Sequence, residues 1–190
     1  GPAFATSTWA WWAVVGVSHL PYLLLLVFLG YGLVERIGYY RRGRTPHAAG
    51  RLPDALPRVC VQLPMFNEDT VFARSIAAAA ELDWPEDRLV IQVLDDSTDP
   101  STRDRVRAHC VMTNRQRGVS CRWIHRTDRT GYKAGALEAG RGQSDADFIL
   151  ILDADFVPPP DLLKRIIPHF YDDCARPLVD LALVQAQWVI

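Results

Sequence analysis

Residues 1 to 34 contain no Asp, Glu, Lys or Arg. Inside them lies one long apolar run, WAWWAVVGVSHLPYLLLLVFLGYGLV, from Trp9 to Val34. About 20 such residues suffice for a helix to cross the hydrocarbon of a bilayer. The run is therefore read as a transmembrane helix, with a buried helix of a soluble protein as the alternative. Trp9, Trp11 and Trp12 at one end and Tyr31 near the other suit the two interfacial belts. A secretory signal fits less well, because its positive charge comes first and its apolar core is shorter. Here the charge follows: Arg36, Arg41, Arg42, Arg44 and Arg51. By the positive-inside rule the N-terminus lies outside and everything from Glu35 onward is cytosolic. Pro21 is expected to kink the helix, and His19 to face a partner helix rather than lipid.

A basic linker, 35–57, separates this helix (1–34) from a domain covering 58–190. There the pattern changes to alternation. Strands are expected at 58–64, 88–96, 119–125, 147–153 and 179–190. Helices are expected at 68–82, 99–118, 131–140 and 161–171. In the first helix, Phe72, Ile76 and Ala79 recur at helical spacing. In the second, Asp99 before Pro100 is an N-cap followed by proline at the first position. The strands read as apolar on both faces, the pattern of a parallel sheet covered by helices. The fold class is thus a doubly wound α/β domain. The net charge of -1 supplies no field for nucleic acid. Cys60, Cys110, Cys121 and Cys174 lack C-x-x-C spacing and read as ordinary thiols in a reducing compartment. The first residue, Gly1, and the strand-like ending LALVQAQWVI are expected to be cut ends of a longer protein.

Ligands of such sheets sit beyond the carboxyl ends of the strands, and the polar clusters of this chain fall there. Asp153 and Asp155 end the fourth strand. Residues two apart on a strand point the same way, and two carboxylates about 4 Å apart repel by about 4 kcal/mol at a near-surface dielectric of about 20. A cation between them would offset this. Oxygen-only ligands suit Mg²⁺ or Mn²⁺ shared with a substrate diphosphate; a solvated acidic turn is the plainer alternative. Lys133 sits in the first turn of a helix, where the macrodipole favours anions. Lysine and helix terminus can act together on a phosphate, with Gly131 and Gly135 allowing close approach; a solvated surface lysine is the other reading. Asp95 and Asp96 end the second strand, where an acid can accept from a ribose or base or fill a turn. In PMFNE, Glu68 can also simply favour the start of the next helix. Neither a Walker A sequence nor G-x-G-x-x-G follows the first strand.

Taken in order, VQLPMFNE, LDDSTD, GYKAGAL, DAD and VQAQW resemble the family 2 glycosyltransferases of the cellulose synthase superfamily. The wording is most like the cellulose-synthase-like β-mannan and glucan synthases, over about residues 58 to 188. The resemblance implies a GT-A fold, a nucleotide-sugar donor (GDP-mannose or UDP-glucose), a glycan acceptor and a membrane location. That location would be the bacterial inner membrane, or the Golgi in a eukaryote. Carried over residue by residue, it puts Phe66 and Glu68 at the nucleotide, Asp95 and Asp96 at base and ribose, and Lys133 at the diphosphate. It makes Asp153 and Asp155 the D-x-D that holds a divalent ion. The family's general base, an acid in a T-E-D or E-D segment, and its Q-x-x-R-W motif are expected beyond residue 190. No catalytic residue is therefore assigned within the chain, which reads as the donor half of an inverting transferase. Two alternatives stand beside this: a non-catalytic nucleotide-binding module on a membrane, and a phosphatase of the haloacid-dehalogenase type using the D-x-D.

Overall fold

The computed structural model describes residues 6–42 and 48–186. Two compact units emerge, one up to His47 and one from Ala48 onward. The first is a single helix, α1 (Thr6–Arg42), which continues through Pro21. Its stretch Trp9–Gly38 is long and apolar enough to cross a membrane, the one such helix among the described residues. The side chains along it are exposed almost throughout. His19 is satisfied locally, its Nδ1 lying 2.6 Å from the Val15 carbonyl oxygen.

The second unit is built on four parallel strands: β1 (Val59–Met65), β2 (Leu89–Asp95), β3 (Ser120–His125) and β4 (Phe148–Ile151). Their spatial order is β3-β2-β1-β4. The chain starts in the middle of the sheet, adds strands to one side, then crosses to the other, which creates a switch point between β1 and β4. One face is covered by α2 (Phe72–Ala80) and α3 (Pro100–Arg117), the other by α4 (Tyr132–Arg141) over β1 and β2. A last short helix, α5 (Leu162–Ile166), runs into a 3-10 turn at Ile167–Phe170.

The α2/α3 face holds the main core. Val59, Val61 and Leu63 of β1 and Leu89, Ile91 and Val93 of β2 are buried there with Phe72, Ile76 and Ala79 of α2. Those three are the helical positions the sequence singled out. α3 begins where the sequence places it. The Asp99 carboxylate accepts from the Thr102 amide at 2.7 Å, and Gly118 ends the helix at φ +70°, a conformation glycine adopts without steric cost.

The α4 face differs from the expectation of strands apolar on both sides. Gln62 and Gln92 are buried in the middle of it, joined by a 3.0 Å bond from Gln62 Nε2 to Gln92 Oε1. Gly140 of α4 rests directly on this pair; a Cβ there would stand 2.6 Å from Gln62 Nε2 and 2.8 Å from Gln92 Oε1. On the same face the edge strand β4 leaves Ile149 and Ile151 exposed.

The fifth expected strand, 179–190, is not formed over residues 179–186, and the remainder lies outside the described residues. Apolar content at Val179 and Leu183 is not enough on its own, since a strand exists only when another strand supplies its ladder; both side chains stand exposed. Residues 35–57 divide between the two units: α1 runs on to Arg42, while the segment from Ala48 packs on the α/β unit. There Gly50 N donates to Pro168 O at 3.0 Å and Arg51 N to Asp172 O at 3.0 Å.

Candidate functional site

Paired residues of a parallel sheet share a face, and the face alternates along each strand. The register aligns Gln62 with Gln92 and with Ile151. These three, and every second residue after them, belong to the α4 face. The next such positions are Pro64 on β1 and Leu94 on β2; Phe66, Asp96 and Asp153 follow just beyond the ends of β1, β2 and β4 and line the same cleft. The carboxyl ends of the three strands thus deliver an aromatic ring and two acids to the side where α4 carries Lys133. An open cleft of about 450 Å³ lies there.

Six of the seven residues singled out in the sequence line it: Phe66, Glu68, Asp96, Lys133, Asp153 and Asp155. The seventh, Asp95, does not. Its parity puts it on the opposite face, where it is fully buried. One carboxylate oxygen accepts from the Ser97 amide at 2.9 Å and the other from Trp123 Nε1 at 2.9 Å. Both of its oxygens therefore tie β2 to its own turn and to β3.

Each loop has a local reason for its shape. The ladder between β1 and β4 ends because Leu152 N donates to Gln62 O at 3.1 Å, and the next rung would need an amide hydrogen from Pro64, which has none. Freed from the sheet, residues 153–155 turn into the cleft. After β1, Asn67 adopts φ +53°, a left-handed conformation that asparagine tolerates better than most residues. Its side-chain oxygen accepts from the Thr98 amide at 3.0 Å, and its own amide donates to Ser97 Oγ at 2.8 Å. The two loops after β1 and β2 are thereby locked together, with Phe66 and Glu68 aimed inward.

The loop from β3 to α4 is held by Arg126. Its Nε donates to Asp96 Oδ1 at 2.9 Å and its Nη2 to Asp96 Oδ2 at 2.5 Å. The same guanidinium also donates to the carbonyls of Thr130 and Tyr132. Hydrogen bonding to Asp96 raises the Arg126 pKa further above its ordinary value. Gly135 is needed for this closeness, since a Cβ there would stand 2.1 Å from Thr130 O. Arg126, Arg129 and Asn67 are not among the residues that the sequence alone singles out.

Lys133 is ion-paired with Asp153 across the cleft. Among the described residues no cation or donor engages the Asp155 carboxylate. No group of three or more His, Cys, Asp or Glu able to hold a metal ion occurs among them. Two carboxylates on one cleft are an incomplete, oxygen-only shell. That suits a hard divalent cation that keeps waters and shares its remaining positions with a substrate, and it does not suit a closed zinc site. The four cysteines are free.

The sequence pattern of glycosyl transferase family 2 matches residues 60–180. Among curated proteins, glucomannan 4-beta-mannosyltransferase 2 of Arabidopsis thaliana is 47% identical over 135 residues, which is 70% of this chain and 24% of that protein. Probable glucomannan 4-beta-mannosyltransferase 9 of Oryza sativa subsp. japonica is 45% identical over 137 residues, 70% of this chain and 25% of that protein. The chain thus spans about a quarter of the length of these relatives. Among solved structures, the mannosyltransferase PcManGT from Pyrobaculum calidifontis, in complex with GDP-Man and Mn2+, superposes with a TM-score of 0.62. It is 25% identical, and the match covers 79% of this chain and 43% of that one.

Proposed function

Because the chain belongs to glycosyl transferase family 2 and its α/β unit has the GT-A architecture, we propose that it forms the donor-binding part of a membrane-anchored, inverting hexosyltransferase. The donor is a nucleotide sugar, GDP-mannose before UDP-glucose, and the acceptor is a growing β-glycan. The observation that carries this reading is the convergence of Phe66, Glu68, Asp96, Lys133, Asp153 and Asp155 on one cleft at the switch point of the sheet. Preference for GDP-mannose is supported by the mannosyltransferase names of the curated relatives and by the ligand of the solved neighbour. Family membership sets aside the phosphatase reading of Asp153-Ala154-Asp155.

Each side chain then has a task. Phe66 offers a ring face and Glu68 an acceptor to the nucleoside. Asp96, fixed by Arg126, presents a rigid edge at the base and ribose end, while Asp95 positions that edge from below. Lys133 and the start of α4 bind the diphosphate, where the helix dipole and an ammonium act on the same charge. Asp153 and Asp155 would hold Mg²⁺ or Mn²⁺, which when bound neutralises the departing diphosphate as a Lewis acid and template. The cleft's own acids serve cation and nucleotide. The proton of the acceptor hydroxyl is therefore assigned to a base outside residues 1–190, without which general-base assistance of about 10²–10⁴-fold is lost.

α1 is the membrane anchor, with its N-terminus outside and the α/β unit in the cytosol, in line with the arginines that follow the apolar stretch. A reporter fused after Arg51 should be active only on the cytosolic side, and activity on the opposite side would reverse the topology. The donor reading is tested by calorimetric titration of GDP and UDP into the full chain in detergent, with Mn²⁺ or with chelator. Metal-dependent binding with GDP favoured over UDP is expected. Absence of binding to either nucleotide refutes the donor site in this chain.

A further inference from the structure

Of the charged side chains lining the cleft, Arg129 has no part in the assignments above. Its guanidinium carbon lies 3.4 Å from the centre of the Phe66 ring and 5.6 Å from that of Tyr132. Its Nε is buried and finds no hydrogen-bond acceptor among the described residues. A buried N–H without a partner is costly and calls for one.

The acids nearby are already engaged. Asp96 is held from two sides by Arg126. Asp128, one residue before Arg129, accepts from the Thr130 amide at 2.9 Å and from its hydroxyl at 2.7 Å. These bonds hold its carboxyl below the usual carboxylate range. Asp153 is taken by Lys133. Arg129 therefore has no carboxylate partner among the described residues. What holds it is an aromatic face, which attracts a cation without neutralising it.

This arrangement selects the ligand. With one face of the guanidinium covered by Phe66, its N–H groups remain in the plane at the edge. A guanidinium edge donates in pairs to the oxygens of phosphate. Arg129 also precedes Lys133 by four residues, across the Gly131–Tyr132 turn where both residues take positive φ, +76° and +49°. Two cations thus flank the first turn of α4, where the backbone amides also favour an anion.

We propose that Arg129 is a second phosphate-contacting cation of the cleft: stacked on Phe66, it donates its guanidinium edge to a diphosphate oxygen while Lys133 engages the same diphosphate. The inference rests on the donor reading above. In it Phe66 has two roles, since the ring that meets the nucleoside also fixes the angle of the arginine.

The test is calorimetric titration of GDP and guanosine into the full chain in detergent with Mn²⁺, for wild type, Arg129→Met and Arg129→Lys. Arg129→Met keeps the length of the side chain and removes charge and N–H groups. It should weaken GDP at least tenfold while guanosine changes less than about twofold, as expected for one lost charge-assisted contact. Arg129→Lys restores the charge without the planar fork and should fall between the two. If Arg129→Met fails to fold, judged by near-ultraviolet circular dichroism, Arg129→Lys decides. GDP affinity reduced with guanosine unchanged supports the proposal, and GDP affinity equal to wild type overturns it. Equal losses for GDP and guanosine in either variant overturn it in favour of a base-stacking shelf. A wild-type chain that binds neither GDP nor UDP fails the donor reading itself, which is distinct from a wild type that binds GDP and a variant that binds it equally well.

Discussion

Replacing Lys133 by alanine should move two affinities in opposite directions. In the structure Lys133 is paired with Asp153, which the proposed function assigns to the divalent cation. Lysine and metal therefore compete for one carboxylate. Removing Lys133 should tighten the binding of Mn²⁺ alone. The gain is bounded by the pair itself: the two side chains are 52% and 63% exposed, and an exposed pair is worth about 0.2–1 kcal/mol, a factor of about fivefold at most. With GDP present the sign reverses. The diphosphate loses a charge-assisted hydrogen bond worth about 1.5–3 kcal/mol, so GDP should weaken by about 10- to 150-fold. Mn²⁺ binding can be followed by electron paramagnetic resonance of the free ion, and GDP binding by calorimetry at saturating Mn²⁺. If Lys133→Ala weakens Mn²⁺ and GDP by the same factor, the lysine only holds the cleft in shape and the exchange argument is wrong. A gain in Mn²⁺ affinity well beyond tenfold would also refute it, because so strong a pair is incompatible with its exposure.

Two further outcomes follow from the fold. Gly140→Ala should lower the thermal midpoint by a few degrees, because its Cβ would stand 2.6 Å from Gln62 Nε2. Overpacking of this kind costs about 1–3 kcal/mol, against about 1 kcal/mol gained in helix propensity; an unchanged or raised midpoint in differential scanning calorimetry would show that the glutamine pair yields freely. Asp99 caps α3, and bonds from Ser101 and Thr102 lower its pKa from 3.8 to about 2. A carboxylate with a depressed folded-state pKa contributes stability that is complete above its unfolded value and is lost as pH falls through the folded one. The midpoint difference between wild type and Asp99→Ala should therefore be constant near neutral pH and shrink from about pH 4 to about pH 2. A difference that does not change with pH would deny the cap its charge.

Most of the architecture could be read from the sequence because parallel strands carry their own signals. Continuous apolar runs, an N-cap with Pro100 behind it and polar clusters at strand ends gave four strands, their intervening helices and the rim where the cleft lies. What escaped were features that depend on partners remote in sequence. The bond between Gln62 and Gln92 spans two strands, and neither residue alone reveals that the α4 face carries a polar centre. Asn67 reads as a turn residue until Thr98 and Ser97 are placed beside it. Arg126 and Arg129 lie three residues apart in one polar loop. Only the fold shows that one meets Asp96 and the other an aromatic ring.

Asp95 and Asp96 show how far pattern alone could have gone. Successive residues of a strand face opposite ways, so two consecutive acids at the end of β2 cannot both enter a cleft that opens on one face. Asp153 and Asp155 are not bound by this rule, because they lie beyond β4, where the chain turns into the cleft. Choosing between Asp95 and Asp96 requires the register. Gln92 is the key: it is aligned with Gln62 and lies under α4, so Asp96, four residues on, shares its face and Asp95 does not. The buried face supplies Asp95 with Trp123 Nε1 and the Ser97 amide, and an ionised carboxylate is tolerable inside a core only when donors of this kind meet it. Asp96 on the cleft side instead has a guanidinium across both oxygens. One acid fastens the rim to the sheet and the other, set on that fastened rim, faces the cleft. A nucleotide-binding defect in an Asp95 variant should accordingly come with lost stability, whereas the proposed role of Asp96 is exerted on the ligand directly, from a position that Asp95 and Arg126 define.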